Sequence, residues 1–401
     1  MNDLFERGII DASVRSYLEK QSEKWQVPAH TLLRTFQLIS PEVYVENYSR
    51  VYGVPRIIAD EIEWNSDLGD KFPWLVWVRN LALPVITADG REMIVSVDPV
   101  SLEEQLRNVR LPKGLILEEE WVELAGKFRG KEFLELAING LWRSDPQRSA
   151  RITFTRGQLA TFWGMGSVLL IGIAISPVFT LTFLNGVVNF FYFLCTVFKT
   201  LLVLVGSTRN ISQKVSRAEI EQLNSGMLPK YTILVPVYKE PEVIPHLVEH
   251  LKNLSYPLSK LDVKVLLEEG DVETIRAFRE SNPPPNFHAL VVPNAQPKTK
   301  PKACNYGLYF AAGEYLTIYD AEDLPEADQL EKVVIAFQKL PRNVVCIQAC
   351  LNYFNWRENL LTRMFTLEYS MWFDYNLPGM ESLKIPIPLG GTSNHFKTQM
   401  L

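Results

Sequence analysis

Residues 158–206 contain the run LATFWGMGSVLLIGIAISPVFTLTFLNGVVNFFYFLCTVFKTLLVLVG, in which Lys199 is the one charged side chain. A helix needs roughly 20 apolar residues to cross a bilayer, and the run holds enough for two. Proline disfavours the helical conformation in the residue before it. The break therefore falls at Ser176-Pro177, with helices expected near 158–176 and 178–205. One long span plus a buried core helix is the alternative. Arg148, Arg151 and Arg156 precede the run; Arg209, Lys214 and Arg217 follow it. A hairpin puts both basic flanks on one side, which the positive-inside rule makes the cytoplasm. The N-terminus, MNDLFERGII, has no apolar core of a cleaved signal peptide.

The hairpin, residues 151–210, divides the chain into an N-terminal part, 1–150, and a C-terminal part, 228–401. Cys346 and Cys350 are spaced C-x3-C without a nearby histidine, which is not a zinc pattern, and reduced thiols suit a cytosolic setting. A net charge of −5, with no basic stripe interleaved with aromatics, argues against a nucleic-acid partner.

In the N-terminal part, LPVITADGREMIVSVDPVSLEEQLRNV reads as strand, Asp89-Gly90 turn, strand, and a helix opening after Asp98-Pro99. With the periodic PEVYVENYSRVYGV upstream, this makes a small α/β module with a regulatory or docking role. Arg79, Arg91 and Arg107 are either phosphate partners or a solvated surface. The module resembles the N-terminal domain of type II secretion ATPases. Some members of that broad family bind cyclic di-GMP, which makes it a candidate ligand. No Walker A pattern GxxxxGK[ST] occurs, so the chain is not itself read as a secretion ATPase.

From Tyr231 onward strands alternate with helices: YTILVPVYKE, PEVIPHLVEHLKNLSY, KVLLEEGDVET, FHALVVPN, KACNYGLYFA, EYLTIYDAED. Such alternation argues for a parallel sheet with its ligand at the carboxyl ends of the strands. Acids stand at three of those ends: Glu240; Glu268, Glu269 and Asp271; Asp320, Glu322 and Asp323. Converging carboxylates are costly unless they serve a cation or a polar ligand, and hard oxygens suit Mg2+ or Mn2+ bridging to phosphates. The loop NAQPKTKPKACN offers Lys298, Lys300 and Lys302 to a diphosphate. The run FTLEYSMWFDYNLPGM is either core or membrane interface, with Trp372 and Phe373 at issue. His246, His250 and His288 sit in ordinary helix or strand contexts and are assigned no role.

The motifs ILVPVYKE, VLLEEGD, KPKACNYGL, YDAEDLPE, IQACLNYFN and GGTSNHF occur in the order found in family 2 glycosyltransferases. Over residues 228–398 they resemble most closely the membrane-bound, cellulose-synthase-like branch. The resemblance implies an α/β chain: a GT-A catalytic domain with a Rossmann-like mixed sheet, a transmembrane helical hairpin and the small N-terminal α/β domain. It implies a multi-pass protein of a bacterial inner (cell) membrane. Its activity would be inverting transfer from a UDP-sugar to a glycan acceptor, a growing polysaccharide, with Mg2+ or Mn2+.

Carried over residue by residue, Pro236, Tyr238 and Glu240 match the first-strand motif lining the nucleotide pocket. Glu268 and Glu269 fall where the family has an Asp pair reading the base. Lys302 matches the lysine near the diphosphate and Asn305 its neighbour. Asp320 and Glu322 match the metal-holding D-x-D pair, with Asp323 an alternative ligand. Gln348 begins the strand motif on the acceptor side; Gly391, Thr392, Ser393, Asn394 and His395 match the loop that shapes the acceptor site. The family's general base, its Q-x-x-R-W motif and further membrane helices follow that loop. The base is thus expected beyond Leu401, and the sequence reads as a truncated or interrupted member. A catalytically inactive, membrane-anchored nucleotide-binding or scaffold protein is the rival expectation.

Overall fold

A computed structural model describes residues 2–36, 38–208 and 212–401; Arg209 of the basic flank lies outside them. Two units form, one from Met1–Gly140, Val215–Gln348 and Gly390–Leu401, the other from Leu141–Lys214 and Ala349–Leu389.

The first unit contains two sheets. Strands β1 (Ile62–Trp64), β2 (Ala82–Thr87), β3 (Glu92–Ser96) and β4 (Lys113–Leu115) lie in the order β1-β2-β3-β4. Only the β3–β4 pair is parallel. The Asp89-Gly90 signal makes the β2–β3 turn: Gly90 takes φ +78°, and Thr87 N–H donates to Arg91 O at 3.0 Å. Upstream, the periodic segment forms the helix Pro41–Tyr52, capped by the Ser40 hydroxyl and ended by Gly53 at φ +67°. The helix expected directly after Asp98-Pro99 starts only at Glu104. Asp98 does not cap it, because its carboxylate accepts from the Tyr48 hydroxyl at 2.6 Å and lies 3.0 Å from His30 Nε2. Arg91 pairs with Asp89, and Arg107 donates to Leu102 O at 3.1 and 2.8 Å.

The second sheet contains β5 (Tyr231–Val237), β6 (Leu261–Glu268), β7 (Phe287–Val292), β8 (Tyr315–Ile318), β9 (Cys346–Gln348) and β10 (Asn394–Lys397). Their order is β7-β6-β5-β8-β10-β9. The first four are parallel, whereas β10 runs antiparallel to both neighbours, giving a mixed, GT-A-like sheet rather than a purely parallel one.

Strand side chains alternate between faces. Ile233, Val235, Val237, Val263, Val265 and Leu267 share one core with the helices Ile244–Lys252 and Gln329–Lys339. Leu234, Leu266 and Leu290 point the other way, into a core they share with Ala303, Tyr306 and Phe310. Burial on both faces explains why these strands read as continuous apolar runs. The second core also takes in Trp121, Leu124 and Phe133 of the long helix Glu118–Ser144, and Leu83, Val85 and Val95 of the first sheet. The Phe133 ring stacks on Tyr309 at 4.6 Å, and Trp74 Nε1–H donates to Tyr309 O at 2.6 Å. A Cβ on Gly130 would stand 3.0 Å from the Tyr306 hydroxyl, so the side chain's absence permits the approach. Each large aromatic buried in this way contributes about 1.5–3 kcal/mol.

In the second unit the apolar run forms the helices Arg156–Ile175 and Pro177–Thr208, with Ser176 extended between them. Both are long and apolar enough to cross a membrane. The shares buried are 0% and 6%, so neither is a core helix. The helix Leu360–Met371 follows, then a π-helical turn, Trp372–Asn376, and the helix Leu377–Ser382. Phe373 is buried and Trp372 exposed, so the two aromatics part company. Gly206 and Gly379 bring helices into backbone contact: a Cβ on Gly206 would collide with Tyr375 O, and one on Gly379 with Leu202 O.

His395 lies in the middle of β10, fully buried, with Nδ1 2.7 Å from the Tyr231 hydroxyl. Burial pushes its imidazole down from 6.5 to about 3. The unfolded chain therefore takes a proton near pH 6.5 that the folded chain refuses until about 3. Stability is full above that window and falls through it at about 1.4 kcal/mol per pH unit. Urea midpoints at pH 7 and pH 5 should differ in the wild type and differ less in His395→Gln; equal slopes would exclude this role.

Candidate active site

The chain leaves β5 toward β6 and β7, then returns to place β8 on the other side of β5. Such a reversal opens a crevice at the carboxyl ends of the strands. A cavity of about 350 Å³ lies there, lined by Tyr238, Glu240, Glu268, Asp320 and Glu322, with Lys298 and Lys300 among its other walls.

Each wall is held by local chemistry. After β5 the backbone turns at Lys239, φ +59°, whose N–H donates to Asp271 Oδ2 at 2.5 Å. Asp271 also caps the helix Val272–Glu280 through Thr274 N–H at 3.3 Å, so it serves the turn and not the cavity. After β8, Asp320 N–H donates to Asp323 Oδ2 at 2.8 Å and to Thr392 Oγ1 at 3.2 Å. The Thr392 hydroxyl also meets Asp323. Asp323 thus acts as the brace of the acidic turn; burial raises its carboxyl. Lys300 Nζ pairs with Asp320 and reaches Gly391 O at 2.5 Å, which ties the 391–392 loop to the same acids.

Electrostatically the crevice is an acid cluster with two lysines beside it. Desolvation first, then Glu322, Glu242 and Asp320, raises the Glu240 carboxyl. A positive charge among these oxygens relieves that repulsion. The donor set, carboxylates from Asp320 and Glu322 with Glu240 near, is the hard-oxygen set that Mg2+ and Mn2+ prefer.

The other expected residues divide between the cavity wall and the frame around it. Glu268 is buried and bound by Lys302 at 2.8 Å; Lys302 Nζ also donates to Ala295 O at 2.9 Å. The Lys302 ammonium is therefore committed to Glu268, and Lys300 and Lys298 are the lysines that line the cavity. Glu269 turns away to accept Asn294 N–H at 2.9 Å. Asn305 donates to Ala137 O at 3.1 Å, on the long N-terminal helix. Pro236 lines the cavity. Ser393, at φ +53°, donates its N–H to Ile318 O at 2.8 Å, and Asn394 Nδ2 donates to Gly390 O at 2.6 Å. Gln348 lies in β9 with both amide atoms buried and unpaired, and His395 is in the core.

At the opposite, amino ends of β6 and β7, Glu118, Asp262 and His288 bring possible metal-ligand atoms to within 4.8 Å of one another. The sequence reading assigned them nothing. The available signal was LDVKVLLE: Asp262 and Lys264 fall on one face of a strand whose opposite face, Val263, Val265 and Leu267, is apolar.

The sequence model described as "Glycosyl transferase family 2" matches residues 232–394, a segment that contains the crevice. The chain is 27% identical over 148 residues to "Probable glycosyltransferase YdaM" of Bacillus subtilis (strain 168), covering 36% of this chain and 35% of that protein. It is 22% identical over 111 residues to a dolichyl N-acetyl-alpha-D-glucosaminyl phosphate 3-beta-D-2,3-diacetamido-2,3-dideoxy-beta-D-glucuronosyltransferase of Methanococcus voltae. That match covers 28% of this chain and 35% of the relative, so the chain spans about a third of the curated relatives' length. Among solved structures, a mannosyltransferase of Pyrobaculum calidifontis in complex with GDP-Man and Mn2+ is 24% identical, with TM-score 0.34. It covers 43% of this chain and 46% of that one.

The Glu268–Lys302 pair generates a stability prediction. Removing one partner of a buried ion pair costs about 3–5 kcal/mol. Lys302→Met should lower the denaturation midpoint accordingly, and Lys302→Met with Glu268→Gln should recover most of the loss. An unchanged single variant would mean that Lys302 is free to serve a ligand.

Proposed function

We propose that the chain is a membrane-associated, inverting glycosyltransferase that transfers a sugar from a UDP-sugar to a growing polysaccharide. The observation that carries the proposal is the meeting of Glu240, Asp320 and Glu322 with Lys298 and Lys300 at one strand-end crevice. A ligand that brings both a divalent cation and phosphates engages both signs of charge at once.

In this reading Asp320 and Glu322 hold Mg2+ or Mn2+, which when bound neutralises charge on the diphosphate leaving group. Lys298 and Lys300 face the same oxygens and stabilise charge that grows as the glycosidic bond breaks. Tyr238, whose ring lies 5.5 Å from Lys298 Nζ, and Glu268 shape the nucleoside end. Lys302 fixes the Glu268 carboxylate there. Thr392 and Gly391 hold the acidic turn and the acceptor-side loop in register. Inversion requires a base to take the acceptor hydroxyl proton; the family resemblance assigns that role to a motif downstream of the 391–395 loop. The helices Arg156–Ile175 and Pro177–Thr208 would cross the inner membrane as a hairpin, with Arg148, Arg151, Arg156, Lys214 and Arg217 on the cytoplasmic side.

Two variants test the crevice. Asp320→Ala should abolish Mn2+-dependent UDP binding in calorimetric titration of the detergent-solubilised chain; binding equal to wild type would sink the metal assignment. Lys300→Met removes a cation that competes for Asp320. Mn2+ alone should then bind about 10-fold more tightly by paramagnetic resonance, the size of one charge-assisted contact, while UDP binds more weakly. Weaker Mn2+ binding would show instead that Lys300 supports the metal site.

A further inference from the structure

A second cavity, about 460 Å³, lies at the end of the sheet opposite the crevice. One wall is N-terminal: Arg34 and Tyr44, and Glu118 at the start of the long helix. The other is Lys230 with the amino ends of β6 and β7, where Asp262, Asn286 and His288 stand.

Its charges do not balance. Glu118 meets His288 Nε2 at 3.0 Å and Arg34 Nη2 at 3.3 Å. Asp262 accepts from the Thr232 hydroxyl at 2.9 Å and pairs with Lys264 Nζ at 2.8 Å. Burial opposes ionisation of both acids, yet the surrounding cations hold both carboxyls below their usual range. Glu118 and Asp262 are matched within the protein by Arg34 and by the fully buried Lys264, which is not part of the lining; Lys230 is the lining cation left over, and Glu119 is exposed at the rim. Among the described residues Lys230 has no ion-pair partner within 4.0 Å.

Hydrogen bonding is incomplete in the same place. Asn286 is 7% exposed, and neither its amide oxygen nor its amide nitrogen has a partner. Arg34 Nη1 and Ser259 Oγ are likewise buried and unpaired. Each such group costs about 1–3 kcal/mol if nothing meets it. A divalent cation does not answer these needs: Glu118 and Asp262 are already paired, and three cations surround the triad. An anion with a hydrogen-bonding edge does.

We propose that this cavity is a binding site for a small oxyanion-bearing metabolite. Its carboxylate or phosphate group lies against Arg34 Nη1 and Lys230 Nζ, and its amide-like or hydroxyl edge is read by Asn286. The site is separate from the proposed nucleotide-sugar crevice and stands whether or not that reading holds. Because one wall comes from the N-terminal helices and the other from the catalytic sheet, its ligand bridges the two.

The test is thermal unfolding of the full chain in detergent, with inorganic phosphate or acetate titrated against chloride at constant ionic strength. Either probe should raise the wild-type midpoint by several degrees at millimolar concentration, and the stronger of the two identifies the head group. Lys230→Met should lose most of that shift. Asn286→Leu, which fills the site with apolar atoms, should be as stable as wild type without probe and should respond less. No shift with either probe, or equal shifts in wild type and Lys230→Met, overturns the proposal and leaves a water-filled cavity. A Mn2+-induced shift that survives Asp320→Ala and vanishes in His288→Ala also overturns it, in favour of a cation site.

Discussion

The union of the two sheets in the first unit depends on covering the face of the second sheet that carries Leu234, Leu266 and Leu290. Helix Lys300–Leu308 is nine residues long and too short to do so alone. Trp121 and Phe133, brought in by the helix Glu118–Ser144, complete the layer, and Leu83 and Val85 of the first sheet close it from behind. The N-terminal residues are therefore part of the second sheet's core. Deleting the Phe133 ring leaves a hole that costs about 3–5 kcal/mol, a large share of the roughly 5–15 kcal/mol by which domains are stable.

The same layer sets the geometry of the crevice. Helix Lys300–Leu308 begins at the acids, where Lys300 meets Asp320, and its far end is grasped by N-terminal groups. Asn305 donates to Ala137 O, and Tyr309 O accepts from Trp74. Three of the acids are held on their protein side, Asp320 by Lys300, Glu268 by Lys302 and Asp323 by Thr392, which leaves Glu240 and Glu322 to bear the repulsion. Carboxylates without such anchors would turn toward water and lose their common focus.

Periodicity and turn chemistry made much of this legible. The both-faces-buried strands, the Asp89-Gly90 turn and the break at Ser176-Pro177 were all visible as patterns, because each rests on local sterics or a two-residue repeat. The acids at the ends of β5, β6 and β8 were visible because strand ends in alternating α/β chains converge. What escaped was long-range pairing. Nothing near Lys302 in sequence says that its partner is Glu268, 34 residues earlier. His395 belongs to a motif in sequence yet to a core in space, because β10 inserts between β8 and β9. Asp98 was read as a helix opener, but His30 and Tyr48 claim it from more than 40 residues away. Ion pairs between distant segments leave no periodic trace.

The shared aromatic layer also bears on how such a chain can change over generations. Phe133 against Tyr309 and Gly130 against Tyr306 are contacts between segments that a sequence comparison would treat as separate cassettes. The second sheet with its helices, moved to a new neighbour without its N-terminal partner, would arrive with a bare hydrophobic face. A change of volume in one segment then has to be absorbed by the other.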